Sequence, residues 1–275
     1  MTVTAATPVV FIHGVGLDGS MWAPVIDCLA ARVVRAPAES DGQVPAIAPD
    51  MLGHGHAPKP PGPYRLDDFV DNLTAQLDAH ASDTTTVDVV GFSMGALVAQ
   101  LLALRQPHRV RRLVLIGGVF DRSPAERAAV VQRVADVRNG GYTDSIAAAI
   151  ERWFTPDFAE QHPEVVDSVR TRMAANDERA YADAYEVFAT ADAELTGKVH
   201  RISQPTLVIT GGDDQRSTPA MARALAARLP NGRAHVVDRA RHMLPLEQPD
   251  VVAGLIGTFL AGSESGQTDE RTRHG

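Results

Sequence analysis

Apolar residues along this chain gather into short unbroken runs separated by longer amphipathic stretches. The runs at 8–12, 44–48, 86–90, 112–116, 205–209 and 234–237 read as strands, and several end in glycine or a polar turn. Unbroken apolarity, as in Val9-Val10-Phe11-Ile12, marks a strand covered on both faces, the habit of parallel sheets. The stretches at 21–31, 66–79, 96–105, 219–229 and 249–260 carry helical patterns, with Ser20 expected to cap the first. Between 120 and 201 the alternation stops and the pattern is helical almost throughout. It is interrupted at Ser123-Pro124, Asn139-Gly140-Gly141, Thr155-Pro156, His162-Pro163 and Asn176-Asp177. The expected architecture is therefore α/β: a mostly parallel sheet with helices on both faces, formed by 1–119 and 202–261, and a helical lid inserted at 120–201. The polar residues 262–275 carry no apolar anchor and are expected to be disordered, as a tail beyond that fold.

Composition narrows the partners. With 275 residues, 44% of them hydrophobic, the chain has material for one large core. A net charge of -8 gives no basic stripe for a phosphate backbone, so nucleic acid is not an expected partner. No apolar run approaches a membrane span and no signal-like segment opens the chain, so the expectation is a cytoplasmic protein with no membrane partner. Its oligomeric state is not legible. Cys28, the single cysteine, excludes an internal disulfide and reads as a packed helical residue.

In a parallel sheet covered by helices, the loops after the strands' C-terminal ends form the site, and several chemically capable residues fall there. In Gly91-Phe92-Ser93-Met94-Gly95 a strand runs through a tight turn into a helix, placing a serine at the tip where only glycine neighbours fit. A serine hydroxyl is a weak nucleophile and needs a base, and the base needs a group to fix its tautomer. His242 and Asp214, each after a later strand, meet those needs, with Asp213 and Asp121 as other candidates for the acid. His13, in His13-Gly14-Val15-Gly16, reads as a residue holding its loop, and Asp50 as one ordering the loop after the second strand. The pair His54 and His56 lacks further ligands at a recognisable spacing, so neither a metal nor a cofactor is expected. Arg152 reads as an exposed helical arginine, with a substrate carboxylate as its other reading.

Taken together, HGVG after the first strand, APDMLGHG after the second, GFSMG, VITGGDD and RHMLPLEQPD resemble the α/β-hydrolase superfamily over about residues 8–261. HGVGLDGSMW and ERWFTPDF look most similar to its enol-lactonase and carboxylesterase branch, although Gly14 stands where those lactonases tend to have serine and the usual leading β-hairpin is missing. The resemblance implies a serine hydrolase of a small or medium ester or lactone. Ser93, Asp214 and His242 would be catalytic, and the backbone N–H groups of Val15 and Met94 would form an oxyanion hole. Trp22, Trp153, Phe154 and Tyr185 are the candidate pocket residues. The alternatives are a carbon–carbon bond hydrolase of ring-cleavage products, a cofactor-free perhydrolase or lyase, and a non-enzymatic receptor on the same fold.

Overall fold

The computed structural model describes residues 7–34, 45–80 and 86–262. The expected connection at 32–43 and the tail at 262–275 lie largely outside these residues. Six parallel strands form one sheet in the order β2-β1-β3-β4-β5-β6: β1 (Val9–Ile12), β2 (Ala46–Ile47), β3 (Val87–Phe92), β4 (Val110–Ile116), β5 (Thr206–Gly211) and β6 (Gly232–Val237). Every residue of β1, β3 and β5 is buried, as unbroken apolar strands between two helical layers require. The edge strands differ. β2 is two residues long, shorter than the apolar run predicts, and β6 exposes Arg233, Ala234 and His235.

The helices are α1 (Ala23–Val34), α2 (Leu66–His80), α3 (Met94–Arg105), α4 (Pro124–Arg138), α5 (Tyr142–Trp153), α6 (Pro156–Gln161), α7 (Pro163–Ala174), α8 (Glu178–Thr196), α9 (Pro219–Arg228), α10 (Leu244–Glu247) and α11 (Pro249–Leu260). Helix α1 starts differently from the sequence expectation. Asp18 caps a 3₁₀ turn at Gly19–Trp22 that leads into it, and Ser20 spends its hydroxyl on Asp18 Oδ1 at 2.5 Å. A carboxylate two residues upstream accepts the Ser20 N–H as well, so the serine has no capping duty left.

The helical block between β4 and β5 is built from the interruptions in its own pattern. Ser123 caps α4 in a reciprocal capping box with Glu126, Thr155 caps α6 and Asp177 caps α8, while Pro124, Pro156 and Pro163 begin their helices. A proline at the first helical position loses no hydrogen bond, because that N–H has no acceptor within the helix. A hydrogen bond ties the block to the loop after β1, and a buried ion-pair cluster holds the block together internally. Asn176 Nδ2 donates to Gly16 O at 2.8 Å. The buried Asp192 of α8 accepts Arg122 at 3.2 Å and Arg127 at 3.1 Å.

Candidate active site

Ser93 sits where β3 turns into α3, with φ 54° and ψ −113°, a backbone conformation that costs a side-chain-bearing residue of order 1–3 kcal/mol. The turn is tight because two glycines let chains touch. A Cβ at Gly91 would stand 2.4 Å from Gly95 O, and one at Gly95 would stand 2.3 Å from Ile12 O. The strain lifts the hydroxyl of Ser93 to within 3.1 Å of His242 Nε2. On the other side of that ring, Nδ1–H donates to Asp214 Oδ2 at 2.6 Å. The second oxygen of Asp214 accepts the N–H groups of Arg216 at 2.9 Å and Ser217 at 3.0 Å.

All three side chains are buried. Burial works to raise the Asp214 carboxyl, but His242 and the hydrogen bonds from His242, Ser217 and Arg216 outweigh it and hold the group below the usual carboxylate range. An ionised Asp214 in turn keeps the His242 proton on Nδ1 and leaves Nε2 as the acceptor facing Ser93. Neither Asp213 nor Asp121 approaches His242. Asp213 is exposed and its N–H is spent on Ala240 O at 3.0 Å, and Asp121 is exposed at a left-handed φ of 50°.

Val15 and Met94 also converge here. Met94 opens α3, where a helix's first N–H groups have no internal acceptor, and neither its N–H nor that of Val15 donates to any group among the described residues. The Val15 loop is held from beneath by His13, whose Nδ1–H donates to Gly14 O while Nε2 accepts Met51 N–H, both at 2.8 Å. Asp50 orders the next loop by accepting Gly19 N–H at 2.9 Å and His56 N–H at 2.7 Å. Among the described residues there is no cluster of three or more His, Cys, Asp or Glu able to hold a metal.

Of the four candidate pocket residues, Trp153 and Tyr185 line the cavity above Ser93, and Trp153 packs against the His242 ring with centroids 5.9 Å apart. The other two are corrected by the structure. Trp22 is fully buried between Phe11 and Phe92, beneath the site, because the 3₁₀ turn points it into the core. Phe154 is buried and stacked on Phe158 at 5.6 Å, since the chain leaves helical conformation there and turns the ring inward. Arg152 is corrected too: it is half-buried and faces the cavity.

Sequence reasoning missed Arg241 and Glu247. Glu247 accepts Thr155 N–H at 2.5 Å with one oxygen and Arg241 N–H at 2.8 Å with the other. The Arg241 guanidinium donates to Glu151 O and Phe154 O, and Met243 N–H donates to Trp153 O at 3.0 Å. The loop carrying His242 is thereby clamped to the α5–α6 junction. Their flanking positions in RHMLPLEQPD were the only signal, since the pairing spans about ninety residues.

A family model for the α/β hydrolase fold matches residues 7–249. The chain belongs to the α/β-hydrolase family. Among curated relatives, this hydrolase is 31% identical over 247 residues to an (E)-2-((N-methylformamido)methylene)succinate hydrolase of Acinetobacter baylyi, covering 89% of this chain and 87% of that one. It is also 31% identical over 240 residues to 3-oxoadipate enol-lactonase 2 of the same species, covering 87% and 83%. Among solved structures, a thermophilic esterase from Thermogutta terrifontis superposes with a TM-score of 0.81 at 27% identity, covering 94% of this chain and 90% of the other. No helix among the described residues is long and apolar enough to cross a membrane.

Proposed function

We propose that this α/β hydrolase cleaves a small or medium carboxylic ester or lactone through an acyl-enzyme on Ser93. The observation that carries the reading is the buried chain of hydrogen bonds from Asp214 through His242 to Ser93, which lines a cavity together with Val15. Ser93 Oγ attacks the carbonyl carbon as its proton passes to His242 Nε2, and Asp214 holds the ring and balances the imidazolium. The carbonyl oxygen gains negative charge facing the N–H groups of Val15 and Met94. Collapse expels the alkoxide, which takes the proton from His242. Water, deprotonated by the same nitrogen, then attacks the acyl carbon and releases the acid, restoring Ser93. The helical block over the site acts as the lid that selects substrate.

The enol-lactonase and the esterase among the relatives support this bond type. The test is a panel of esters, lactones and ring-cleavage products assayed with wild type and Ser93→Ala. Hydrolysis of esters or lactones that disappears in the variant is the expected result, and turnover confined to the ring-cleavage products would replace this reading with carbon–carbon cleavage.

A further inference from the structure

The cavity above Ser93 carries more positive charge than ester hydrolysis uses. Four arginines line it, Arg122, Arg133, Arg152 and Arg216, against two carboxylates, Asp214 and Glu126. Both carboxylates are engaged. Asp214 serves His242 and two N–H groups, and Glu126 accepts the Ser123 N–H at 2.8 Å and its hydroxyl at 2.7 Å while lying in the field of Arg122 and Arg216.

The arginines are not equally engaged. Arg122 is spent on Asp192, on the carbonyl of Phe188 and on the Phe188 ring, 4.4 Å from its centroid. Arg133 gives only Nε, to the Tyr185 hydroxyl at 3.1 Å, and its two terminal nitrogens make no hydrogen bond or ion pair among the described residues. The guanidinium groups of Arg152 and Arg216 make no hydrogen bond or ion pair among the described residues. Arg216 is exposed and its charge is met by water, but Arg152 is half-buried.

Burial first, and then the charges of Arg133 and Arg216, lower the pKa of Arg152. Guanidinium stays protonated regardless, so the fold holds an unmatched cation partly out of water beside two others. It does so in a protein whose net charge is -8, so the cluster is no sample of a generally basic surface. The cavity they share is small, ≈ 80 Å³, which suits a short substrate.

We propose that the substrate's acyl part is short and ends in a carboxylate, received by Arg152 and Arg133 while the scissile carbonyl lies at Ser93. Two guanidinium forks with unused N–H groups match the planar oxygens of a carboxylate, and one bound anion neutralises the cluster. This inference rests on the serine-hydrolase reading of the same site.

The experiment compares kcat/KM by pH-stat for monomethyl glutarate and methyl valerate, which differ by a carboxylate in place of a terminal methyl group. Wild type is expected to favour the monoester by about tenfold or more, the order expected for a charged hydrogen bond. Arg152→Gln and Arg133→Gln should each reduce that ratio at least several-fold, and Arg152→Lys, which keeps the charge without the fork, should fall between. Arg170→Gln, on the exposed face of α7 and paired with Asp167, should leave the ratio intact. A wild-type ratio of one or less, or a preference that survives in the Arg133→Gln/Arg152→Gln double variant, overturns the carboxylate inference. Methyl valerate hydrolysis that depends on Ser93 shows in that case that the serine-hydrolase reading stands. Failure to hydrolyse either ester overturns the carboxylate inference, and the serine-hydrolase reading falls with it only if no ester or lactone of the wider panel is turned over in a Ser93-dependent way.

Discussion

His54 offers a test of the fold's electrostatics that does not depend on turnover. Its ring is fully buried, edge-on to His13 with centroids 5.2 Å apart. Nδ1–H donates to Leu52 O at 2.9 Å, and Nε2 has no partner among the described residues. Burial, together with the nearby His13, pushes its pKa from 6.5 down to about 3. In the unfolded chain the imidazole takes a proton near pH 6.5, whereas in the folded chain it stays neutral until about pH 3. The folded pKa is the lower one, so acid favours the unfolded state: stability is intact above 6.5 and declines from there toward 3. Between pH 7 and pH 5 this one residue removes about 2 kcal/mol, with a slope near 1.2 kcal/mol per pH unit around pH 5.5. His13, lowered chiefly by its own burial, adds a loss of the same sign. Urea unfolding of wild type and His54→Gln at a series of pH values measures the difference in slope, which is insensitive to any constant cost of the substitution. The variant's curve should be shallower by about one proton's worth, or about 1.2 kcal/mol per pH unit near pH 5.5. Parallel curves would refute the reasoning.

Three further outcomes follow from the site. Asp214→Asn should lower kcat by up to about 10⁴-fold, because an amide presents N–H to the imidazole and favours the wrong tautomer, whereas Asp213→Asn and Asp121→Asn should change it by less than about tenfold. Steady-state rates for the three measured side by side check this. Glu247→Ala, which frees the His242 loop from the α5–α6 junction, should reduce kcat more than it raises KM, with Glu247→Gln recovering part of the loss; equal kcat in all three proteins would deny the clamp a positioning role. Trp22→Ala should destabilise the fold by about 3–5 kcal/mol in urea unfolding, as a large buried ring does, and a loss below about 1 kcal/mol would contradict its place in the core.

The sheet was legible because its signal is local. Buried strands such as Val9–Ile12 and Val87–Phe92 have few ways to hide their apolar faces other than between helices. Helix boundaries in the inserted block were legible for the same reason, since Ser123-Pro124 and Thr155-Pro156 carry both a capping oxygen and a missing N–H. Ser93 could be singled out because Gly91 and Gly95 mark a tight turn within five residues and an aspartate and a histidine follow later strands in the order its chemistry needs. Side-chain direction was not legible. Trp22 and Phe154 have the composition of pocket residues, but a 3₁₀ turn and a helix end send them inward. Arg152 looked like a surface arginine because nothing in its own helix reveals the cavity beside it. Glu247 and Arg241 were missed since their partners lie in α5 and at the start of α6, far along the chain.

The claim on which the rest depends is that Ser93 is an activated nucleophile. Intact mass spectrometry after exposure to a fluorophosphonate probe tests it directly, with peptide mapping to locate the adduct. Wild type should gain one adduct, on Ser93. His242→Ala should react far more slowly, because the hydroxyl then has no base, and Ser93→Ala should gain none. An unmodified wild type, or an equal adduct on Ser93→Ala, would contradict the account.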